Sequence, residues 1–165
     1  MDLFPTRILL ATDGSEEAEL AALRAVELAE TTDSELHVVH VGVVPKFLES
    51  HPGTLGYDGK LYEQLEEESR ELLRKLSWRV KVAGGTVTGT HLRMGKVDLE
   101  IVGLAKELGA DLIIMGCRGH RGIRRAIEGS TSDAVIRHAP CPVLVVRSHE
   151  SAQDPEWPAV STGGR

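Results

Sequence analysis

Residues 111–132 read DLIIMGCRGHRGIRRAIEGSTS. An almost unbroken apolar run, 111–116, passes directly into a glycine-containing loop. After that loop, Gly129, Ser130 and Thr131 open a short helical pattern over about 130–138, with Ser130 as its cap and Pro140 beyond its end. A strand with apolar residues at nearly every position is buried on both faces, which is the signature of a parallel sheet. Similar runs occur at 7–12 (RILLAT), 36–41 (LHVVHV) and 142–147 (PVLVVR), and a weaker, mixed one at 86–94 (TVTGTHLRM).

Helical periodicity fills the intervals. Ser15 is placed to cap a helix over 16–30, whose first turn carries acids that the helix dipole favours. Leu61, Leu65, Leu72, Leu76 and Val80 mark a helix over about 60–83 that stops at Gly84-Gly85. Val97, Ile101, Ala105 and Leu108 mark a third over about 96–108, with Gly109 as its stop. Strand and helix alternate four times before a last strand. The order predicts an α/β fold: a Rossmann-like open five-stranded parallel sheet with right-handed crossovers and helices on both faces. Ligands of such sheets bind beyond the carboxyl ends of the strands, where the strand order reverses. The loops after the first and fourth strands, ATDGS and GCRGHRG, would face one another there.

Composition narrows the classes. The chain has 165 residues, 41% of them apolar, enough for one domain with its own core. The domain is expected over 1–147, with 148–165 as a flexible carboxyl-terminal tail and 42–59 as a long loop or lid. Net charge is −6 and aromatic content 4%, which argues against nucleic acid and anionic membranes as partners. Two cysteines, Cys117 and Cys141, make no disulfide scaffold and have no zinc spacing. No apolar run is long enough to span a bilayer and no leader pattern opens the chain, so the expected location is cytoplasmic.

The chemistry concentrates in the loop after the fourth strand. Gly116 and Gly119 let a ligand approach the main chain closely. Arg118, His120, Arg121, Arg124 and Arg125 crowd 118–125 with no acid among them. Free N–H groups and hydroxyls at the following helix start complete an anion site. The same pattern also fits an ordinary βα turn with a solvated arginine cluster. It is neither GxxxxGK[ST] nor GxGxxG. Asp13 could accept from a ribose hydroxyl or adenine amine, help hold Mg²⁺, or simply build the turn before Gly14-Ser15. Thr12 could bond ligand oxygens or finish its strand, and Val41 could offer backbone to a base or fill the core. Cys117 reads as a reactive thiol beside arginines or a small filler. His37 and His40 fall on opposite faces of one strand. No catalytic triad can be assembled.

Taken together these residues resemble the universal stress protein family, in its UspA-like, ATP-binding subgroup. The family signature G-x2-G-x9-G-[ST] reads here as Gly116, Gly119, Gly129 and Ser130, and both ILLATDGS and RHAPCPVLVV fit the family. The resemblance covers about 7–147 and implies an adenine nucleotide alpha hydrolase-like fold. It implies that Ala11, Thr12 and Asp13 line an adenosine pocket and that the Val41 backbone meets adenine. Met115 and Gly116 would lie beside base and ribose. Arg118 and Gly119 would form the phosphate loop, and Gly129, Ser130, Thr131 and Ser132 the helix start that holds phosphates. Cys117, Thr131 and Ala11 depart from commoner family residues without removing a signature glycine or hydroxyl. The function implied is a regulatory ATP-binding protein in stress response, binding ATP with Mg²⁺, with no catalytic residues assigned. Alternatives are slow ATP hydrolysis or autophosphorylation on Ser130 or Ser132, helped by Arg118 and Arg121, or an interaction module binding another adenine nucleotide such as cyclic AMP. A homodimer through the last strand, 142–147, is also implied.

Overall fold

A computed structural model describes residues 5–44, 57–117 and 131–148. Five strands form one parallel sheet: β1 (Arg7–Ala11), β2 (Glu35–Gly42), β3 (Val87–Met94), β4 (Leu112–Gly116) and β5 (Val143–Val146), in the order β3-β2-β1-β4-β5. Four helices connect them: α1 (Glu16–Thr32), α2 (Tyr57–Val82), α3 (Val97–Leu108) and α4 (Thr131–His138). The order moves outward from β1 through β2 to β3, then jumps back to β4 on the other side of β1. A constant crossover hand demands that the helices change face at that jump. They do: α1 and α2 pack with Ile8, Leu10, Leu36, Val38 and Ile114, whereas α3 and α4 pack with Leu9, Val39, Val41, Ile113 and Met115.

Each element follows from its residues. β1 is buried from Ile8 to Ala11, as its unbroken apolar run requires. α1 presents Ala18, Ala21, Ala25 and Ala29 inward, and these small side chains let the helix approach the sheet closely. Ser15 Oγ accepts the Ala18 N–H as the expected cap, and Asp33, in the left-handed conformation at φ 54°, closes the helix by donating its N–H to Ala29 O. The helix runs past the expected 30 to Thr32, and the Thr31 and Thr32 hydroxyls donate to the Glu27 and Leu28 carbonyls. The buried stripe of α2 is Leu73, Leu76, Ser77 and Val80, so Leu72 of the expected row lies at its margin and Leu73 at its centre. Gly109 ends α3 at φ 61°, as expected. Strand limits differ from the sequence expectation by one residue at most ends. The expected loop 42–59 is shortened at both ends, by β2 reaching Gly42 and by α2 starting at Tyr57 rather than about 60; residues 45–56 and all of the tail beyond Ser148 lie outside the described residues.

Candidate functional site

The centre of the sheet has a notch at its carboxyl edge, built by unequal strand lengths. β1 pairs with β2 only as far as Ala11 and Val39, with one further bond from Thr12 N–H to Val39 O at 3.0 Å. β2 runs on to Gly42 and β4 to Gly116, one residue beyond the Ala11–Met115 pair. Thr12 and Asp13 therefore floor a gap walled by Val41 and Gly42 on one side and by Met115 and Gly116 on the other. This is also where the strand order reverses, so fold and local geometry mark the same place.

The floor is set firmly. Thr12 and His40 are both buried, and His40 Nδ1 donates to the Thr12 carbonyl at 2.9 Å, bracing the end of β1 from β2. This role has no local mark in the sequence, because it depends on β1 lying beside β2. Asp13 Oδ1 accepts the Ser15 N–H at 3.0 Å across Gly14, which adopts φ 79°. One carboxylate oxygen of Asp13 thus performs the turn-building role that the sequence allowed.

Gly116 is required by space. A Cβ there would lie 2.9 Å from both Ala18 N and Glu17 C, so the end of β4 and the first turn of α1 meet backbone to backbone. The same spareness recurs across the notch, where a Cβ on Gly42 would fall 2.4 Å from Met94 Sδ and 2.5 Å from Ser69 Oγ. Beyond Gly116, Cys117 N–H donates to Val146 O at 2.8 Å, tying the loop's first residue to β5. Ser132, buried in the first turn of α4, donates its hydroxyl to the Cys117 carbonyl at 3.4 Å. The two ends of the glycine-rich segment, fourteen positions apart in the sequence from Cys117 to Thr131, are therefore brought together at this edge.

Of the expected site residues, Ala11, Thr12, Asp13, Val41, Met115, Gly116, Thr131 and Ser132 are described. Ala11, Val41 and Met115 place their side chains in the core under α3 and α4, so their part in a site would be played by backbone. Thr131 is exposed at the start of α4. Arg118, Gly119, Gly129 and Ser130, with the rest of the basic loop, lie outside the described residues. Among the described residues no cluster of three or more His, Cys, Asp or Glu is placed to hold a metal ion, and no helix is long and apolar enough to cross a membrane.

The order β3-β2-β1-β4-β5 with helices on both faces defines an open parallel α/β protein, and comparison with known proteins makes the class specific. The model of the universal stress protein family matches residues 5–147. A curated relative from Staphylococcus haemolyticus, named for the same family, is 40% identical over 148 residues, covering 89% of this chain and 87% of its own. The solved structure of the universal stress protein UspA from Lactobacillus plantarum matches with a TM-score of 0.72 at 28% identity, covering 88% of this chain and all of that one. A universal stress protein from Archaeoglobus fulgidus, solved in complex with dAMP, matches with a TM-score of 0.58 at 25% identity, covering 88% of this chain and 99% of its own. The chain belongs to the universal stress protein family.

Proposed function

We propose that this protein binds ATP, with Mg²⁺, in the notch at the carboxyl edge of the sheet, and acts as a regulatory nucleotide-binding protein in stress response. One observation carries the reading. The strand order reverses at β1; β2 and β4 outrun that strand at the carboxyl edge, and Ser132 at the start of α4 donates to the Cys117 carbonyl just beyond β4. The related structure with dAMP supports an adenine nucleotide as the ligand class. In this reading Thr12 and Asp13 hold the adenosine and the Val41 backbone meets the base where β2 outruns β1. Met115 and Gly116 lie beside base and ribose. Arg118, Gly119, Gly129, Ser130, Thr131 and Ser132 surround the phosphates. Asp13 would help hold Mg²⁺, which would supply positive charge to the phosphates.

Freshly purified protein, denatured and assayed by mass spectrometry, should release an adenine nucleotide, or else show saturable heat when Mg-ATP is titrated in. The absence of both released nucleotide and binding heat overturns the reading. Release of cyclic AMP would replace ATP with the monophosphate reading, and phosphate release that a bulky residue at Gly119 abolishes would establish hydrolysis.

The last strand supports a second part of the reading. β5 ends the sheet order, and Leu144 on it and Ile136 on α4 are 41% and 52% exposed. An edge strand with open backbone and an exposed apolar side chain invites pairing with a second copy. Sedimentation should give a dimer that Leu144→Glu converts to monomer; a wild-type monomer overturns this part.

A further inference from the structure

The outer face of α2 is segregated by charge. Residues 63–71 hold Glu63, Glu66, Glu67, Glu68 and Glu71 against a single base, Arg70. Residues 72–82 hold Arg74, Lys75, Arg79 and Lys81 and no acid. Some of these charges pair along the helix, Arg70 with Glu66 at 2.5 Å and Arg74 with Glu71 at 2.6 Å, and Arg79 reaches Glu19 on α1. Glu63 and Lys81 are exposed and have no ion-pair partner among the described residues. They lie 18 residues apart, about five turns, so they stand on one side of the helix, about 27 Å from each other. The basic part also carries Trp78 and Val82, about one turn apart and each 65% exposed. Neither belongs to the stripe that α2 buries, Leu73, Leu76, Ser77 and Val80.

We propose that this face of α2 docks on the same face of a second copy of the chain, the two helices running antiparallel about a twofold axis at the level of residue 72. In such an isologous contact each pairing occurs twice, residue i meeting j and j meeting i. With the axis midway between Glu63 and Lys81, each Lys81 faces the partner's Glu63. Trp78 comes down among the partner's Glu63, Glu67 and Arg70, where the guanidinium stacks on the indole. Arg74 stands opposite the partner's Arg70 but between the partner's Glu67 and Glu71, so charges of alternating sign meet near the axis. The charge pattern selects the occupant: the acidic surface that the basic part attracts is supplied by the same helix, at the same distance from the axis. A parallel arrangement sets Lys81 against the partner's Lys81 and Glu63 against the partner's Glu63, which repel. α2 covers β2 and β3, away from β5 in the sheet order, so the contact leaves the last strand free. Two single helices make a contact smaller than a standard interface, so the association is weak and salt-sensitive, with Trp78 as its anchor.

The test uses Leu144→Glu protein, which lacks the proposed β5 pairing, in sedimentation equilibrium. At about 20 mM salt it should dimerise reversibly with a Kd of about 10–100 µM, and about 500 mM salt should weaken this at least tenfold. Lys81→Glu and Glu63→Lys should each weaken it by about tenfold or more, because the twofold axis repeats each change. The protein carrying both reversals should recover to within about threefold, since only an antiparallel partner restores opposite charges. Trp78→Ala should weaken it by about tenfold. Lys106→Glu, which makes the same change of net charge on α3, should shift it by less than about twofold. No dimer at low salt, a dimer indifferent to Lys81→Glu, or a double reversal as weak as either single one overturns the proposal. If wild-type and Leu144→Glu proteins associate equally, the β5 pairing has failed and this contact has not; if only the wild type associates, the reverse holds. Should circular dichroism find Leu144→Glu unfolded, the same substitutions in wild-type protein decide, read as loss of species larger than the β5 dimer.

Discussion

The two ends of the parallel sheet are built on opposite principles. At the amino end, polar side chains satisfy one another. Asp111 accepts from the Thr6 hydroxyl at 2.6 Å and from the Thr6 and Arg7 N–H groups at 3.1 Å each. Arg7 pairs with Glu35 and also donates to the Leu108 carbonyl at the end of α3, where a cation is favoured by the helix dipole. That network stitches β1, β2, β4 and α3 together. At the carboxyl end the design is subtraction. Glycines at 42 and 116 remove side chains, so that Met94 and Ser69 pack against the end of β2 and the backbone of α1 against the end of β4. One end builds the fold from side-chain hydrogen bonds, and the other, where the proposed ligand would bind, depends on side chains being absent. Substitutions at the two ends should therefore separate stability from binding.

The largest effect should come from Gly116→Val. The new Cβ meets backbone of α1 at 2.9 Å, which no rotamer change relieves. Overpacking of this kind costs about 3 kcal/mol, and in a domain of this size lowers the Tm by about 6–12 °C. Calorimetry should register that loss, and titration with Mg-ATP should find binding gone as well. A variant that keeps nucleotide affinity while losing stability would break the comparison, because it would detach this end of β4 from the site.

Asp111→Ala should do the reverse, and less. It removes the acceptor of three hydrogen bonds, worth about 1 kcal/mol together after allowance for their exposure. Nucleotide affinity should not change. The hydrogen bond from the Thr6 hydroxyl, above all, holds the Asp111 carboxyl below the usual 3.8, and the Arg7 guanidinium likewise holds Glu35 below 4.5. For a carboxyl with a lowered folded value, stability is present above the unfolded value and is lost as pH falls through the folded one. Wild-type protein should therefore lose stability on acidification below about pH 4, and Asp111→Ala should lose less over that range. An equal acid limb in both proteins would remove Asp111 from the network's account.

The sequence made the centre of this fold legible and left its edges obscure, for physical reasons. Runs such as Ile8–Ala11 and Leu112–Met115 can only be strands buried on both faces, so order and class followed from them. The glycine ending β4 and the hydroxyl at the start of α4 carry local signals, but only the fold shows that the missing Cβ of Gly116 admits the first turn of α1 and that Ser132 donates to the Cys117 carbonyl. Leu73 was missed because heptad-like spacing fits Leu72 equally well, and only packing against the sheet chooses between neighbours. His40 bracing Thr12 depends on which strand lies beside β1. The pair of His37 and His91, hydrogen-bonded between Nδ1 and Nε2 at 3.0 Å, was unreadable: it joins residues 54 apart, and the register shift between β2 and β3 that turns both rings to one face leaves no local mark in TVTGTHLRM.

That pair also gives the smallest effect, in the pH range where the rest of the amino-end network is silent. His91 is a base whose folded value is lowered, chiefly by burial and then by His37. The unfolded chain therefore takes up its proton first as pH falls. Stability should decline once pH drops below the ordinary 6.5 and level off when pH has passed the folded value, because both states are then protonated. Wild-type protein should show this shallow decline in urea midpoint below pH 6.5, separate from the carboxylate limb further down. His91→Gln should flatten it and leave the lower limb intact. If the decline survives in His91→Gln, the titrating group lies elsewhere, and the amino end draws its pH sensitivity from carboxylates alone.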